Sequence, residues 1–207
     1  AASDVYKRQI SGKVFLNGRD ITRESVTAIR KAGMSHVPED RMADGCAPEM
    51  SVQENLVVSN IDTFTNKLGM IQTSKIKEHC TQQIEEFTIK TKDENQSIGS
   101  LSGGNIQKAI VAREFKAKSD LLVLNQPTRG VDVGAISFIH SKILEMRNHN
   151  KAILLVSADL NELISLSDRI MVMHKGKVVA SLKNEPKVTE QELGLYMLGI
   201  KKQEGLE

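Results

Sequence analysis

Two short apolar runs constrain this chain more than any other feature. Residues 121–124 read Leu-Leu-Val-Leu and residues 152–156 read Ala-Ile-Leu-Leu-Val. Neither alternates with polar residues, which is the pattern of a strand buried on both faces of a parallel sheet. Residues 133–147 between them carry a helical pattern. Parallel strands need such a crossover, because a tight hairpin cannot join them. A further helix is expected over 159–166. Residues 169–173 and 178–181 flank His174-Lys175-Gly176 and predict a hairpin, followed by a helix over 189–198. Strand and helix alternate through this second half, so the fold class is α/β.

The first half has a different rhythm. Residues 12–16 predict a strand, Asn17-Gly18 a tight turn, 25–31 a short helix ended by Gly33, and 34–37 a strand stopped by Pro38. Residues 39–50 hold Pro, Gly and several charges and read as a loop. Helices are expected over 51–58 and 74–87. In the second, Ile76, Cys80, Ile84 and Phe87 recur at helical spacing and share one buried face. Residues 91–100 are polar and loop-like, and a helix opens at Ser102 and runs to Lys116. The stretch 50–117 is thus purely helical, which predicts a helical subdomain, over roughly 40–118, inserted into an α/β core. Residues 1–9, AASDVYKRQ, do not join this pattern. They read as an adapter-translation scar, with 10–207 forming one truncated domain whose natural protein continues upstream.

Composition removes several function classes. The 207 residues carry 28 Lys and Arg against 26 Asp and Glu, a formal charge of +2. Such a balance offers no electrostatic footprint for nucleic acid. Aromatics at 3% with no Trp supply few platforms for stacking bases, so no nucleic-acid partner is expected. The run 152–156 is far short of the ~20 apolar residues that span a bilayer, so membrane association would be by docking. Cys46 and Cys80 fit no metal spacing and are expected as reduced thiols, with a disulfide left open. His36, His79, His140, His149 and His174 show no paired ligand spacing, so no metal site is expected. His36 falls in a strand, as a core or edge residue. Lys175, Lys177 and Lys183 read as a solvated face, and Arg113 and Glu114 as members of structural ion pairs.

The stretch Leu101-Ser102-Gly103-Gly104-Asn105-Ile106-Gln107-Lys108 carries the chemistry. Two glycines after a serine leave backbone N–H groups bare at a helix start, where the helix dipole adds partial positive charge. Ser102 adds a hydroxyl donor. Such a cluster suits a phosphate. The alternative is a plain loop-to-helix cap, with Ser102 capping and the glycines permitting the turn.

This stretch does not stand alone. It precedes the strand 121–124 and then Asn125-Gln126-Pro127-Thr128-Arg129-Gly130-Val131-Asp132. In this order the sequence resembles the nucleotide-binding domain of ATP-binding cassette (ABC) transporters, over residues 10 to 181. The resemblance implies a P-loop NTPase-like ABC ATPase core. Leu101, Ser102, Gly103, Gly104, Asn105 and Gln107 match the signature motif, usually LSGGQ. Asn125 and Gln126 stand where the Walker B strand ends, Asp132 stands in the D-loop, and Glu39 stands where the Q-loop glutamine usually sits. Within the family, Val37-Pro38-Glu39-Asp40-Arg41, Ser51-Val52-Gln53-Glu54-Asn55 and the stretch from Pro127 to Ala135 resemble the C-terminal cassette of tandem importer ATPases. Asn125-Gln126 before Pro127, and Ile136 after Ala135, look more like the nucleoside-type branch than the simple-sugar branch.

The departures from the family matter as much. The phosphate loop G-x-x-x-x-G-K-[ST] occurs nowhere in the chain. The resemblance therefore implies a domain lacking the Walker A strand, loop and helix. Gln126 stands at the catalytic glutamate position and Ala158 at the switch histidine position. An amide is a poor base and a weak cation partner, so no catalytic residue is intact. The expectation is an importer cassette for nucleosides or simple sugars, peripheral on the cytoplasmic face of the membrane. It would use ATP and Mg²⁺ in the assembled transporter, with a partner cassette and permease subunits. It would lend its signature to the partner's ATP site, and this chain alone would not hydrolyse ATP. The alternative is an inactive structural or regulatory module.

Overall fold

The structure is a computed structural model that describes residues 11–66, 68–203 and 205. The segment 1–9 lies outside the described residues. In chain order the elements are β1 (Phe15–Leu16), β2 (Arg19–Asp20), α1 (Val26–Lys31), β3 (Met34–Val37), α2 (Val52–Val57), α3 (Thr73–Glu86), α4 (Gly103–Phe115), β4 (Leu121–Asn125), α5 (Val133–Asn148), β5 (Ala152–Val156), α6 (Leu160–Leu166), β6 (Arg169–His174), β7 (Lys177–Lys183) and α7 (Glu190–Met197).

β3, β4 and β5 form a parallel sheet in that order. Ser35 pairs with Leu122, and Asn125 pairs with Val156. The central strand β4 is the apolar run expected to be buried, and Leu122 and Leu124 are fully enclosed. From α5, Ile139 and Ile143 join the same core. The helix begins where it does because the Asp132 carboxylate accepts the Ala135 N–H. A separate antiparallel hairpin, β6 with β7, packs on α7 around Ile170, Ala180, Leu193 and Tyr196.

Between β3 and β4 every regular element is helical. α2 opens with a capping box, Ser51 to Glu54 and back. Val52, Leu56 and Val57 are core residues there. On α3, Ile76 and Cys80 are buried, Ile84 packs against them, and Phe87 closes the face just past the helix end. Cys46 and Cys80 are free thiols. Burial pushes the Cys80 thiol up to about 12, so it is inert at neutral pH.

Three expectations are corrected. The strand over 12–16 shrinks to Phe15–Leu16, although Asn17 and Gly18 make the turn with φ of 50° and 77°. The loop over 39–50 contains a π-helical turn, Arg41–Gly45. Its cause is local: the Asp40 carboxylate accepts the N–H groups of Met42 and Ala43. The run 152–156 is a strand but is not buried on both faces. Leu154 is 43% exposed and Val156 47%, because β5 is the last strand of the sheet and one of its faces is uncovered.

The ion pairs expected around Arg113 and Glu114 join core to helices. Glu114 is 1% exposed, and its carboxylate accepts Arg113 Nε at 2.8 Å and Arg30 Nη2 at 2.7 Å. Arg113 also donates to the Gly45 carbonyl at 2.8 Å and the Asn55 carbonyl at 3.3 Å. One buried cluster thus fastens α1, α2, α4 and the π-helical turn. Beside it runs a groove of about 1020 Å³, lined by Arg30, Met34, Met50, Glu54, Val58 and Phe64 among others.

Candidate functional site

The residues singled out in the sequence gather in two places. The first is the start of α4. Ser102 holds the extended N-cap backbone but makes no side-chain cap hydrogen bond. Its exposed hydroxyl instead accepts the Asn105 side-chain amide at 2.9 Å. The plain-cap reading of Ser102 therefore does not describe its side chain. The glycines lie beneath. A methyl group on Gly104 would sit 2.8 Å from Asp132 Oδ2, so the Asp132 carboxylate packs directly on Gly104. Backbone donation from Ala135 holds the Asp132 carboxyl below its ordinary range.

Other residues of the 101–107 stretch act from behind. Leu101 is half-buried against the core. Gln107 is 3% exposed, and its amide donates to the Pro127 carbonyl at 2.7 Å. It braces the turn after β4 from within. Asn105 accepts the Lys90 N–H at 2.9 Å. Glu39 forms an ion pair with Arg129, joining the loop after β3 to the D-loop.

The second place is the C-terminal end of β4. Asn125 is the last strand residue. Gln126 turns the chain with φ of 51°, a left-handed conformation rarely adopted by non-glycine residues. Its N–H bonds the Val156 carbonyl at 2.8 Å. Its side-chain Oε1 accepts the Ala158 N–H at 3.2 Å.

Sequence reading gave no role to Arg41 or to Glu162. Arg41 donates to the carbonyls of Arg129 and Gly130 at 2.6 and 3.0 Å. Glu162 is 2% exposed and accepts Thr128 Oγ1 at 2.8 Å; His140 Nε2 lies 2.9 Å from the same oxygen. The only hint of Glu162 in the sequence was its place three residues after Asp159, a helix-start spacing.

The groups that such a site would hold fit it unequally. The α4 start offers an exposed hydroxyl, glycine backbone and helix dipole, which fits a phosphate oxygen. The end of β4 offers only neutral amides, a donor set poorly suited to Mg²⁺, which prefers carboxylate oxygens and water. Among the described residues no group of three His, Cys, Asp or Glu converges.

The family model described as ABC transporter matches residues 4–129. The chain belongs to the ABC transporter family. As an ABC protein it is 42% identical over 190 residues to the nucleoside import ATP-binding protein NupA of Lactococcus lactis subsp. cremoris, covering 91% of this chain and 37% of that one. It is 40% identical over 195 residues to the guanosine import ATP-binding protein NupO of Bacillus subtilis, covering 94% and 38%. A xylose import ATP-binding protein, XylG of Photobacterium profundum, is 37% identical over 186 residues, covering 90% and 36%. The chain thus spans under two fifths of the length of these relatives. Among solved structures, an ATP-binding cassette of an ABC transporter superposes with TM-score 0.73 at 20% identity, covering 92% of this chain and 77% of that one. A dimeric bacterial ABC transporter cassette gives 0.71 at 17%, covering 84% and 74%. These likenesses establish the ABC ATPase fold.

Proposed function

We propose that this chain is the C-terminal ATP-binding cassette of a tandem importer ATPase, serving uptake of nucleosides, with simple sugars as the second choice of solute. The reading is carried by the start of α4, where the N-cap Ser102 keeps its hydroxyl exposed beside Gly103 and Gly104 and Asp132 packs against Gly104. The names of NupA and NupO support the nucleoside branch.

In this reading two cassettes close head to tail around ATP. The signature of this chain, from Leu101 to Gln107, completes the ATP site of the partner cassette. The Ser102 hydroxyl and the first-turn N–H groups of α4 donate to phosphate oxygens there. Its own site binds without cutting. Gln126 has no carboxylate to draw a proton from water, and Ala158 has no side chain to reach a phosphate. ATP supplies the energy, and Mg²⁺ is held with it by the partner cassette.

The unpaired edge of β5 supports the view that an upstream strand belongs beside it, and its uncovered face that the helix after that strand's phosphate loop packs on Leu154 and Val156. The exposed Met171 and Met173 of β6 are apolar side chains of the same kind left bare. The groove beside Glu54 and Val58 is where we place the permease contact, within the segment 39–58. No helix among the described residues is long and apolar enough to cross a membrane, so attachment would be through the permease at the cytoplasmic face.

Uptake by the transporter reconstituted in vesicles tests the assignment. ATP-dependent uptake of radiolabelled guanosine, lost with Ser102→Arg, is expected; uptake of ribose or xylose alone would move the assignment to the sugar branch. The second reading, a module working without nucleotide, draws on the amide pair at Gln126 and Ala158. ATP-independent dimerisation of the cassettes would favour it.

A further inference from the structure

We infer that Arg41 is the positioning residue that sets the signature and the D-loop for the partner's ATP site; this rests on the reading that the signature completes that site. The inference starts from the Arg41 guanidinium, which bridges three segments. Nη1 donates to the Arg129 carbonyl at 2.6 Å and Nη2 to the Gly130 carbonyl at 3.0 Å. The same Nη2 would lie 3.1 Å from a methyl on Gly103 and 3.4 Å from one on Gly130. Gly103 therefore does more than free the backbone, since a methyl there would crowd the guanidinium, whereas one on Gly130 would only touch it. A planar fork with fixed donors can span adjacent carbonyls, which an ammonium cannot do with the same geometry.

Arg41 itself is held from the other side. It begins the π-helical turn Arg41–Gly45, whose Asp40 carboxylate accepts the Met42 and Ala43 N–H groups. The far end of that turn receives Arg113 through the Gly45 carbonyl. A methyl on Gly45 would sit 2.8 Å from Ile110 Cδ1, so the turn is pressed against α4. Asp44, Gly45 and Cys46 also line the groove. Arg41 thus stands where a rigid turn meets the D-loop and the first signature glycine. Glu39 adds a second tie through Arg129.

The test compares Arg41→Ala, Arg41→Lys and Ser102→Arg in the full-length ATPase with its permease. Arg41→Ala is expected to lower kcat about tenfold to a hundredfold, as for a displaced but intact catalytic group, with KM for ATP changed less than about threefold. Arg41→Lys is expected to recover little of it. Hydrogen exchange on the full-length ATPase supplies a readout independent of turnover. With either variant, amides of 128–133 should exchange faster while those of β4 keep their protection. Wild-type kcat in Arg41→Ala alongside a dead Ser102→Arg would overturn the role of Arg41 and leave the signature reading standing. Full recovery by lysine, or unchanged exchange over 128–133, would also overturn it. An active Ser102→Arg would instead bring down the reading beneath.

Discussion

Gln126 Oε1 accepts the backbone N–H of Ala158 at 3.2 Å. In the proposed reading, this spends the side chain at the catalytic glutamate position on the loop at the switch histidine position. The amide ties the end of β4 to the loop after β5. In the isolated chain, no ATP hydrolysis is expected. Gln126→Glu should leave that unchanged, because the phosphates still have no glycine-rich loop to hold them. A phosphate-release assay on both proteins checks this, and calorimetry should find no low-micromolar ATP binding.

The buried cluster predicts a large stability loss. Arg113→Met removes the Nε donor to Glu114 and the ties to Gly45 and Asn55. Glu114 keeps only Arg30 as a charged partner. Breaking a buried pair from one side costs about 3 kcal/mol or more. Urea unfolding of wild type and variant should show the midpoint falling with an unchanged slope.

The open sheet face predicts a contrast between two apolar residues. Ile139 is fully buried, and Ile139→Ala should cost about 2–5 kcal/mol. Leu154, at 43% exposed, should tolerate Leu154→Thr within about 0.5 kcal/mol in this chain. In the full-length protein the same Leu154 change should cost clearly more, if the helix following an upstream strand covers this face. Equal tolerance in both would argue against that strand.

A histidine predicts acid sensitivity. His79 Nε2 accepts the Gln83 amide at 2.7 Å and its ring packs on Phe64 at 4.9 Å. Burial, and less so Lys116, hold its pKa below the ordinary value. The folded state then binds its proton less readily than the unfolded chain. The His79 contribution is complete above the unfolded value of about 6.5 and is lost as pH falls toward the lower folded value. Thermal melts from pH 7.5 to 5 should show this decline, and His79→Phe should flatten it.

Strands β4 and β5 were legible because they are short apolar runs set between helical patterns, and β3 because Pro38 stops it. The π-helical turn at Arg41 was not. It arises from one carboxylate, Asp40, taking two N–H groups, and no periodicity announces that. The exposure of β5 was also hidden, since Leu154 and Val156 read as core whatever faces them. The signature was visible as Ser102-Gly103-Gly104, but its surroundings were not. Arg41, Asp132 and Pro127 reach it from residues 20 to 62 positions distant, and only folding sets a guanidinium against Gly103 or a carboxylate against Gly104.

Steady-state ATPase activity of the full-length transporter carrying Ser102→Arg or Gln126→Ala tests the asymmetry most directly. Ser102→Arg puts bulk where a phosphate must approach α4. It also displaces donors worth about a hundredfold or more in rate, so turnover should vanish. Gln126→Ala removes only the bond to Ala158, and turnover should fall modestly. Loss of activity in Gln126→Ala as complete as in Ser102→Arg would mean that this cassette's own site is catalytic, contradicting the account.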